Sequence, residues 1–489
     1  MPDTAVATTT KLNTAEANTL PILQKDNIAA VMDRSWDELF GMDREEVEAF
    51  QLAAARQRFD ELAPKVKMLK SRADSVEVSA IKSLDDIPGL LFDNLAFKSY
   101  PMSFLEKGRY DMLTKWLDGM TSLDLSGIDV SRCRSIDDWL DTLEAGAPLS
   151  IYHTTGTSGK LSFIPRTTLE RDIWNHSFAK LFAGFGNEKG IKLGGKDGVR
   201  LPVIYPVARY GHYTAQYMGQ FLAKEVAPTP DQCYMLSDDK LSAEIVSLSG
   251  RVRIAQAKGE LGQMKLSEET RHALREYLLS IEQRAENMTA YFLRMAEKLK
   301  GQRVYISGVA GYFVQAGQAA MKQGLSHIFA PDSIAATGGG MKDAKVPDNW
   351  RDIIAEFTGI TWSNWHLSYA MTEVTGQAPF CAHGHYHIPP YSISYLLDPE
   401  TNQLLPRTGI QNGRYAVLDL LPQSFWAGIV SGDKITINFD GGCPCGRKGA
   451  YVYDPVERYA QNVSGGDDKI TCSATVDNSD IELRKLLGF

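Results

Sequence analysis

The sequence contains no stretch of about 18 uninterrupted apolar residues, which excludes a conventional membrane-spanning helix. Its best candidate, residues 415–430, is broken by Asp419, Pro422 and Gln423. Cysteine is scarce: six in 489 residues is too few for a disulfide-stapled secreted scaffold of this length. Positive charge is in deficit, since 52 Lys and Arg against 60 Asp and Glu give a formal net charge of −8. A nucleic-acid backbone is therefore excluded as the main partner, because binding one requires a basic face. The opening stretch MPDTAVATTTKLNTAEANTL lacks the charged start and apolar core of a signal peptide. These absences predict a cytoplasmic protein with no membrane contact, with residues 1–20 as a disordered arm.

What is present is ordinary for a globular chain: 44% hydrophobic and 23% charged residues, and enough length for two to four domains. Residues 21–75 read as helical. Ser35 with Glu38 three residues later forms a capping box, and apolar residues follow at three- and four-residue spacing. Helical patterns continue over 100–150 and over 264–300. RLPVIYPVARY, VYISGVAGYFV, SHIFAPDSIAATGGG and GITWSNWHLSYAMTE read as buried strands feeding loops, and short β runs dominate after residue 389. Strands alternating with helices predict an α/β fold with a β-rich C-terminal third.

The sharpest local signal is the loop Thr154-Thr155-Gly156-Thr157-Ser158-Gly159-Lys160. Its glycines permit a tight turn and close backbone approach, its amides and hydroxyls can donate to an anion, and Lys160 adds a point charge. Together they suit a polyphosphate. The spacing is not that of a Walker A loop. Taken alone, such a loop is as readily an ordinary turn.

TTGTSGK resembles the phosphate-loop signature of the adenylate-forming superfamily, which includes the acyl-CoA synthetases and adenylation domains. Three later segments match that family's motifs in order. They are Ala336-Thr337-Gly338-Gly339-Gly340, Ser368-Tyr369-Ala370-Met371-Thr372-Glu373 (with Ala370 where the family has Gly), and Ser431-Gly432-Asp433. GGGMK at 338–342 is similar to the acyl-protein synthetases of bacterial luminescence. CPCGR at 443–447 and GGDDKI at 465–470 resemble the phenylacetate–CoA ligase branch. Adenylating proteins of phenazine-type antibiotic pathways combine similar features.

The resemblance implies the large-domain fold of these enzymes and the ATP- and Mg²⁺-dependent conversion of a carboxylic acid into an acyl-adenylate. It implies that Thr154, Thr155, Thr157, Ser158 and Lys160 hold the β and γ phosphates. Thr372 would contact the α-phosphate and Glu373 would bind Mg²⁺. Tyr369 would stack on adenine beside Gly338, Gly339 and Gly340, and Asp433 would accept from the ribose hydroxyls. The family's next arginine falls on Gly465, leaving Arg447 and Arg458 as replacements. Only Thr471–Phe489 follow that motif, so either the family's lysine-bearing small domain is absent or the sequence stops short of it. In the luminescence synthetases a cysteine near the C-terminus carries the acyl group, which makes Cys472 either such a carrier or an ordinary thiol.

Cys381, the histidines at 383, 385 and 387, and Cys443 with Cys445 form two clusters about 60 residues apart, a usual layout for structural zinc. The expected ligands are Cys381, His387, Cys443 and Cys445. His212, Tyr213, Gly308 and Gly311 are the expected acid pocket, its Tyr, Phe and small residues pointing to an aromatic acid. The acceptor would be a thiol (CoA or a carrier protein) or an amine, and a homodimer is compatible. An alternative is an adenylate-fold carrier of AMP or acyl-adenylate with little turnover. The expected divisions are a helical extension at 21–100, an adenylating α/β body at 101–430 and a β-rich segment at 431–489.

Overall fold

A computed structural model of the chain describes residues 31, 34–154, 160–181, 191–337 and 347–458. The expected arm at 1–20, the segment 459–489 with Cys472, and the loops 155–159 and 338–346 lie outside the described residues. Among the described residues the N-terminal run forms three helices, Trp36–Gly41, Arg44–Leu62 and Lys67–Ser75. Ser35 caps the first as its sequence predicts: its hydroxyl accepts from the Glu38 N–H at 3.2 Å, and the Glu38 carboxylate accepts from the Ser35 N–H at 2.7 Å. A second carboxylate, Glu46, accepts from the Asp43 N–H at 2.9 Å and starts the next helix. Extended backbone at Met42 separates the two.

Among the described residues, three strands come before the main sheets in the chain: β1 (Phe92–Asp93) and the antiparallel hairpin β2 (Leu149–His153) with β3 (Phe163–Thr167). A six-stranded sheet follows. It contains β4 (Val203–Tyr210), β5 (Cys233–Lys240), β6 (Tyr305–Gly308), β7 (Ile334–Thr337), β8 (Trp365–Tyr369) and β9 (Ala378–Pro379), in the order β5-β4-β6-β7-β8-β9. The pairs from β5 to β8 are parallel and β9 is antiparallel. Parallel strands need crossover connections. Helix Thr214–Phe221 follows β4, helices Ala243–Lys258, Glu268–Glu282 and Arg284–Lys298 lie between β5 and β6, and Ala310–Lys322 lies between β6 and β7. The run VYISGVAGYFV is therefore half strand and half helix. Covered on both sides, the strands can be apolar throughout: Val203, Ile204, Tyr305, Ile306, Ile334 and Ala335 are fully buried.

The C-terminal part is β10 (His385–His387), β11 (Ser392–Leu397), β12 (Ile410–Asp419), β13 (Gly428–Asn438), β14 (Tyr451–Tyr453) and β15 (Glu457–Arg458). They form one largely antiparallel sheet, which β1 joins by parallel pairing to β13. β13 alternates buried and half-buried residues, as a strand covered unequally on its two faces must. The architecture is thus α/β, with mixed sheets flanked by helices and a β-rich C-terminal part. The division expected at 430/431 falls inside β13, whose ladder to β12 runs on both sides of it.

The N-terminal helices are a cover for this second sheet. Phe50, Ala54, Phe59 and Leu62 share one core with Tyr391, Ile393, Leu418 and Trp426. Buried Arg58 donates to the Leu420 carbonyl at 3.1 Å, and Gln51 donates to the Pro390 carbonyl at 3.0 Å. Phe59 meets Trp426 edge-on, with ring centroids 6.2 Å apart. Phe59→Ala should therefore cost about 3–5 kcal/mol of unfolding free energy in a denaturant titration. A loss below about 1 kcal/mol would mean that the helices are not part of this core.

Candidate functional site

The order β5-β4-β6 means that the chain leaves β4 on one side and returns on the other. In open α/β sheets the crevice at the carboxyl ends of such a reversal is where ligands bind. At this end β4 runs into Gly211-His212-Tyr213, β6 ends at Gly308, β7 ends at Thr337 and β8 ends at Tyr369. Gly211 has φ +139°, and a Cβ there would lie 2.9 Å from the Leu241 carbonyl oxygen, so only glycine makes this turn.

The β2–β3 hairpin is attached to the same end. His153 bridges to Tyr213, and its N–H donates to the His212 carbonyl at 3.2 Å. Thr154 closes the neck of the hydroxyl-rich loop, donating its N–H to the Ser162 carbonyl at 3.2 Å and accepting from the Ser162 N–H on Oγ1 at 3.1 Å. Thr155, Gly156, Thr157, Ser158 and Gly159 lie outside the described residues. On the far side of the neck the Lys160 ammonium sits 5.3 Å from the Tyr100 ring centroid. Burial, with help from the positive charge of Lys98, pushes its pKa down. Two cations brought together suit an anionic ligand, and the sequence reading missed Lys98.

The Tyr369–Glu373 segment leaves β8 beside this hairpin. The Tyr369 hydroxyl donates to Asp433 Oδ2 at 2.6 Å, joining residues 64 apart in sequence. Asp433 is buried, donates its N–H to the Ser431 hydroxyl oxygen at 3.1 Å, and is paired with Arg458 in the β13–β15 register. The Tyr369 ring packs edge-on to Tyr415 at 5.7 Å, and with Met371, Val374 and Ile388 it lines a small depression. Ser368 donates to Gln377 at 3.2 Å. Thr372 and Glu373 are half-buried in the following turn, and Arg166 of β3 donates to the Thr372 carbonyl at 2.8 Å. Gly338, Gly339 and Gly340 follow β7 and lie outside the described residues.

Two expected residues are found in other surroundings. Arg447 lines a cavity of about 490 Å³ between the helices at 36–62 and the C-terminal sheet. Its loop is held there by the Lys448 N–H on the Phe40 carbonyl at 2.8 Å and by Lys448 Nζ on Asp43 at 2.7 Å. His212 does not present a nitrogen to a substrate carboxylate. Its Nδ1 meets Glu144 at 3.2 Å and the Tyr217 hydroxyl at 3.0 Å, and its Nε2 meets Asp141 at 2.8 Å. Glu144 also accepts from the Ile151 N–H of β2 at 2.7 Å and from the Tyr217 hydroxyl, and Asp141 pairs with Lys240 at 2.7 Å. Burial alone would lower the His212 pKa, but the bonds and charges of Glu144 and Asp141 outweigh it and raise it. Of the other pocket residues, Tyr213 and Gly308 sit at the crevice. Gly308 is closed in by Phe313, which a Cβ would approach to 3.2 Å, and Gly311 is buried in the first turn of helix Ala310–Lys322.

The Cys and His clusters come together. β10 pairs with β14 in a register that sets His387 against Tyr451, and so brings the 381–387 segment to the loop that precedes β14. The ligand atoms of Cys381, His387, Cys443 and Cys445 all lie within 4.8 Å of one another. Cys381 and Cys443 are 3.8 Å apart at sulfur, far beyond a disulfide bond, and His387 Nε2 is 3.3 Å from the Cys445 sulfur. A tetrahedral zinc with bonds of about 2.3 Å to sulfur requires S···S edges of about 3.8 Å. Burial pushes the His387 pKa down to about 3, which keeps the imidazole neutral, the form that binds metal. The donor set and its spacing therefore fit zinc. His383 is exposed, and His385 stacks on Tyr451 with centroids 4.4 Å apart.

No protein-family model and no curated protein matches the chain. Among solved structures it matches 2-hydroxyisobutyryl-CoA ligase in an open conformation with 2-HIB-AMP and CoA. The identity is 13%, over 87% of this chain and 78% of that one, with a TM-score of 0.46. It also matches ATP-bound MatB from Rhodopseudomonas palustris, at 14% identity over 64% of this chain and 48% of that one, TM-score 0.31. A third match is the luciferase-like enzyme of the nonluminescent mealworm Zophobas morio, at 11% identity over 63% and 57%, TM-score 0.34. Each likeness is one of chain path.

The raised His212 pKa makes a stability prediction. A group whose folded pKa exceeds its unfolded value stabilises fully below the unfolded value and loses that contribution as pH rises through the folded one. The gap in unfolding free energy between the protein and its His212→Gln variant should therefore be widest below the ordinary histidine pKa of 6.5 and shrink at higher pH. A gap independent of pH would show that His212 is not held as a cation.

Proposed function

We propose that the chain activates a carboxylic acid as its acyl-adenylate and passes the acyl group to a thiol or an amine. One observation carries this reading. The hairpin that bears Thr154 and Lys160, the turn after β8 and the Ser431–Asp433 stretch of β13 are distant in sequence and are tied together, through Arg166 on Thr372 and through Tyr369 on Asp433. A carboxylate is a poor acyl donor because its leaving group would be oxide. Its oxygen attacks the α-phosphorus of ATP, the bond to the bridging oxygen breaks and pyrophosphate leaves. In the second step the thiol or amine attacks the acyl carbon and AMP leaves. The protein's part is positioning and charge neutralisation.

In this reading Thr154, Thr155, Thr157, Ser158 and Lys160 hold the β and γ phosphates, and Thr372 contacts the α-phosphate. Tyr369 and Gly338–Gly340 hold adenine, while Asp433, with Arg458, holds the ribose. The hydroxyl of Tyr369 donates to Asp433 Oδ2, which ties the adenine-binding ring to the ribose-binding carboxylate. Glu373 offers a hard carboxylate oxygen suited to Mg²⁺, whose charge when bound offsets that of the phosphates. The acid enters between Tyr213 and Gly308, and the rings around them favour an aromatic one. Zinc on Cys381, His387, Cys443 and Cys445 pins β10 to the loop before β14 and has no open position for chemistry.

Pyrophosphate release measured with a panel of aromatic and aliphatic acids tests the reading. Release is expected with at least one acid, and Glu373→Gln should lower it by at least about 10²-fold. AMP binding without release for any acid would replace the enzyme with an adenylate carrier. For the metal, elemental analysis should find one zinc per chain, and Cys443→Ser should lose it and bring the thermal transition down. Metal-free protein with an unchanged transition would remove zinc from the account.

A further inference from the structure

Arg166 lies on β3 opposite Ser150 and is fully buried. Its guanidinium rests between the rings of Tyr152 and Phe425, 5.2 Å and 5.6 Å from their centroids. Among the described residues it makes no ion pair, although Asp419, Glu170 and Glu373 are close enough to act on its charge. Asp419 accepts from the N–H groups of Thr375, Gly376 at 3.1 Å and Leu421 at 3.0 Å. Glu170 accepts from the N–H groups of Gln423 at 2.6 Å and Ser424 at 2.7 Å. Taking a cation out of water costs several kcal/mol, and a methionine of similar length would fill the slot without that cost. The charge therefore calls for a task that apolar filling cannot perform.

The directions of its hydrogen bonds identify that task. One arm of the fork donates to the Thr375 hydroxyl oxygen at 2.5 Å, the other to the Thr372 carbonyl at 2.8 Å. Glu373 lies between these two anchors. A planar donor fork with two fixed acceptors sets the orientation of a segment as well as its distance, which a lysine cannot do. Arg166 also belongs to the hairpin that carries Thr154 and Lys160. One planar side chain thus ties the hairpin that bears Thr154 and Lys160 to the turn bearing Thr372 and Glu373.

We infer that Arg166 is a positioning residue that holds the Glu373 turn at a fixed distance from Thr154 and Lys160, so that one metal–nucleotide complex can engage both. This inference rests on the adenylation reading for its kinetic consequence, but the mechanical link is separate from it. Arg166→Met and Arg166→Lys should lower the turnover number for pyrophosphate release by about 10–10²-fold, the effect of displacing a reacting group by about 1 Å. They should raise the Mg²⁺ concentration needed for half-maximal rate and leave the KM for the acid unchanged. Thr375→Val, which keeps shape and removes one acceptor, should give a smaller change of the same kind, and serves if the arginine variants fail to fold. Amide hydrogen exchange, read in the same variants, should quicken at residues 371–376.

Variants that fold, keep the parent turnover and Mg²⁺ dependence, and leave exchange at 371–376 unchanged would overturn the inference. A purely structural role would lower the thermal transition without moving the Mg²⁺ dependence, which also counts against it. If the parent protein releases no pyrophosphate with any acid, faster exchange at 371–376 still supports the link while the adenylation reading fails. Unchanged exchange in that case overturns the link as well.

Discussion

β4 hydrogen-bonds to β5 on one side and to β6 on the other, and the placement of the candidate segments at the ends of β4, β6, β7 and β8 depends on that pairing. Because the strands are parallel, each connection must cross the sheet, so all the carboxyl ends emerge on one edge. The reversal at β4 parts the connections and leaves a crevice there. The hairpin that bears Thr154 and Lys160 is fastened to this edge by the His153–Tyr213 bridge, and the turn after β8 by Arg166. The chemistry proposed for the chain follows from the topology first and from side chains second.

Around this edge the interior is unusually rich in charge. Arg58, Arg166, Glu170, His212, Asp419 and Asp433 are all buried. Each is costly away from water unless its hydrogen bonds are satisfied. Much of the satisfaction comes from backbone groups of distant segments: Leu420 for Arg58, Ser424 for Glu170, Thr375 for Asp419. These charges therefore act as register pins, because a segment shifted by one residue would strand its ion. Apolar packing alone tolerates such slips more easily.

The parts of this arrangement that were legible in the sequence are those whose signal is local. The Ser35 capping box and the apolar strands each announce themselves within a few residues. The Cys and His clusters were legible as a pair because both halves carry a compact pattern. What was hidden depends on partners far along the chain. Arg166 reads as an ordinary charge at a strand end, and nothing in FIPRT predicts burial between Tyr152 and Phe425. His212 looks available for a ligand until helix Ile136–Gly146 supplies Asp141 and Glu144. The helix within GVAGYFV was masked by residues that also suit strands. Its start is set by the end of β6, which pairing with β7 determines.

The cover formed by residues 36–75 has a consequence for synthesis. Its partners are residues such as Pro390, Leu420 and Trp426, and the Gln51–Pro390 and Arg58–Leu420 bonds span 339 and 362 positions. A ribosome adding about 5–20 residues per second takes roughly 20–70 s to cover that distance. Throughout that time Phe50, Phe59 and Leu62 have been made and the sheet they pack on has not. Helices made this early are among the last elements to find their place, and their apolar faces are the surfaces a nascent-chain chaperone would shield.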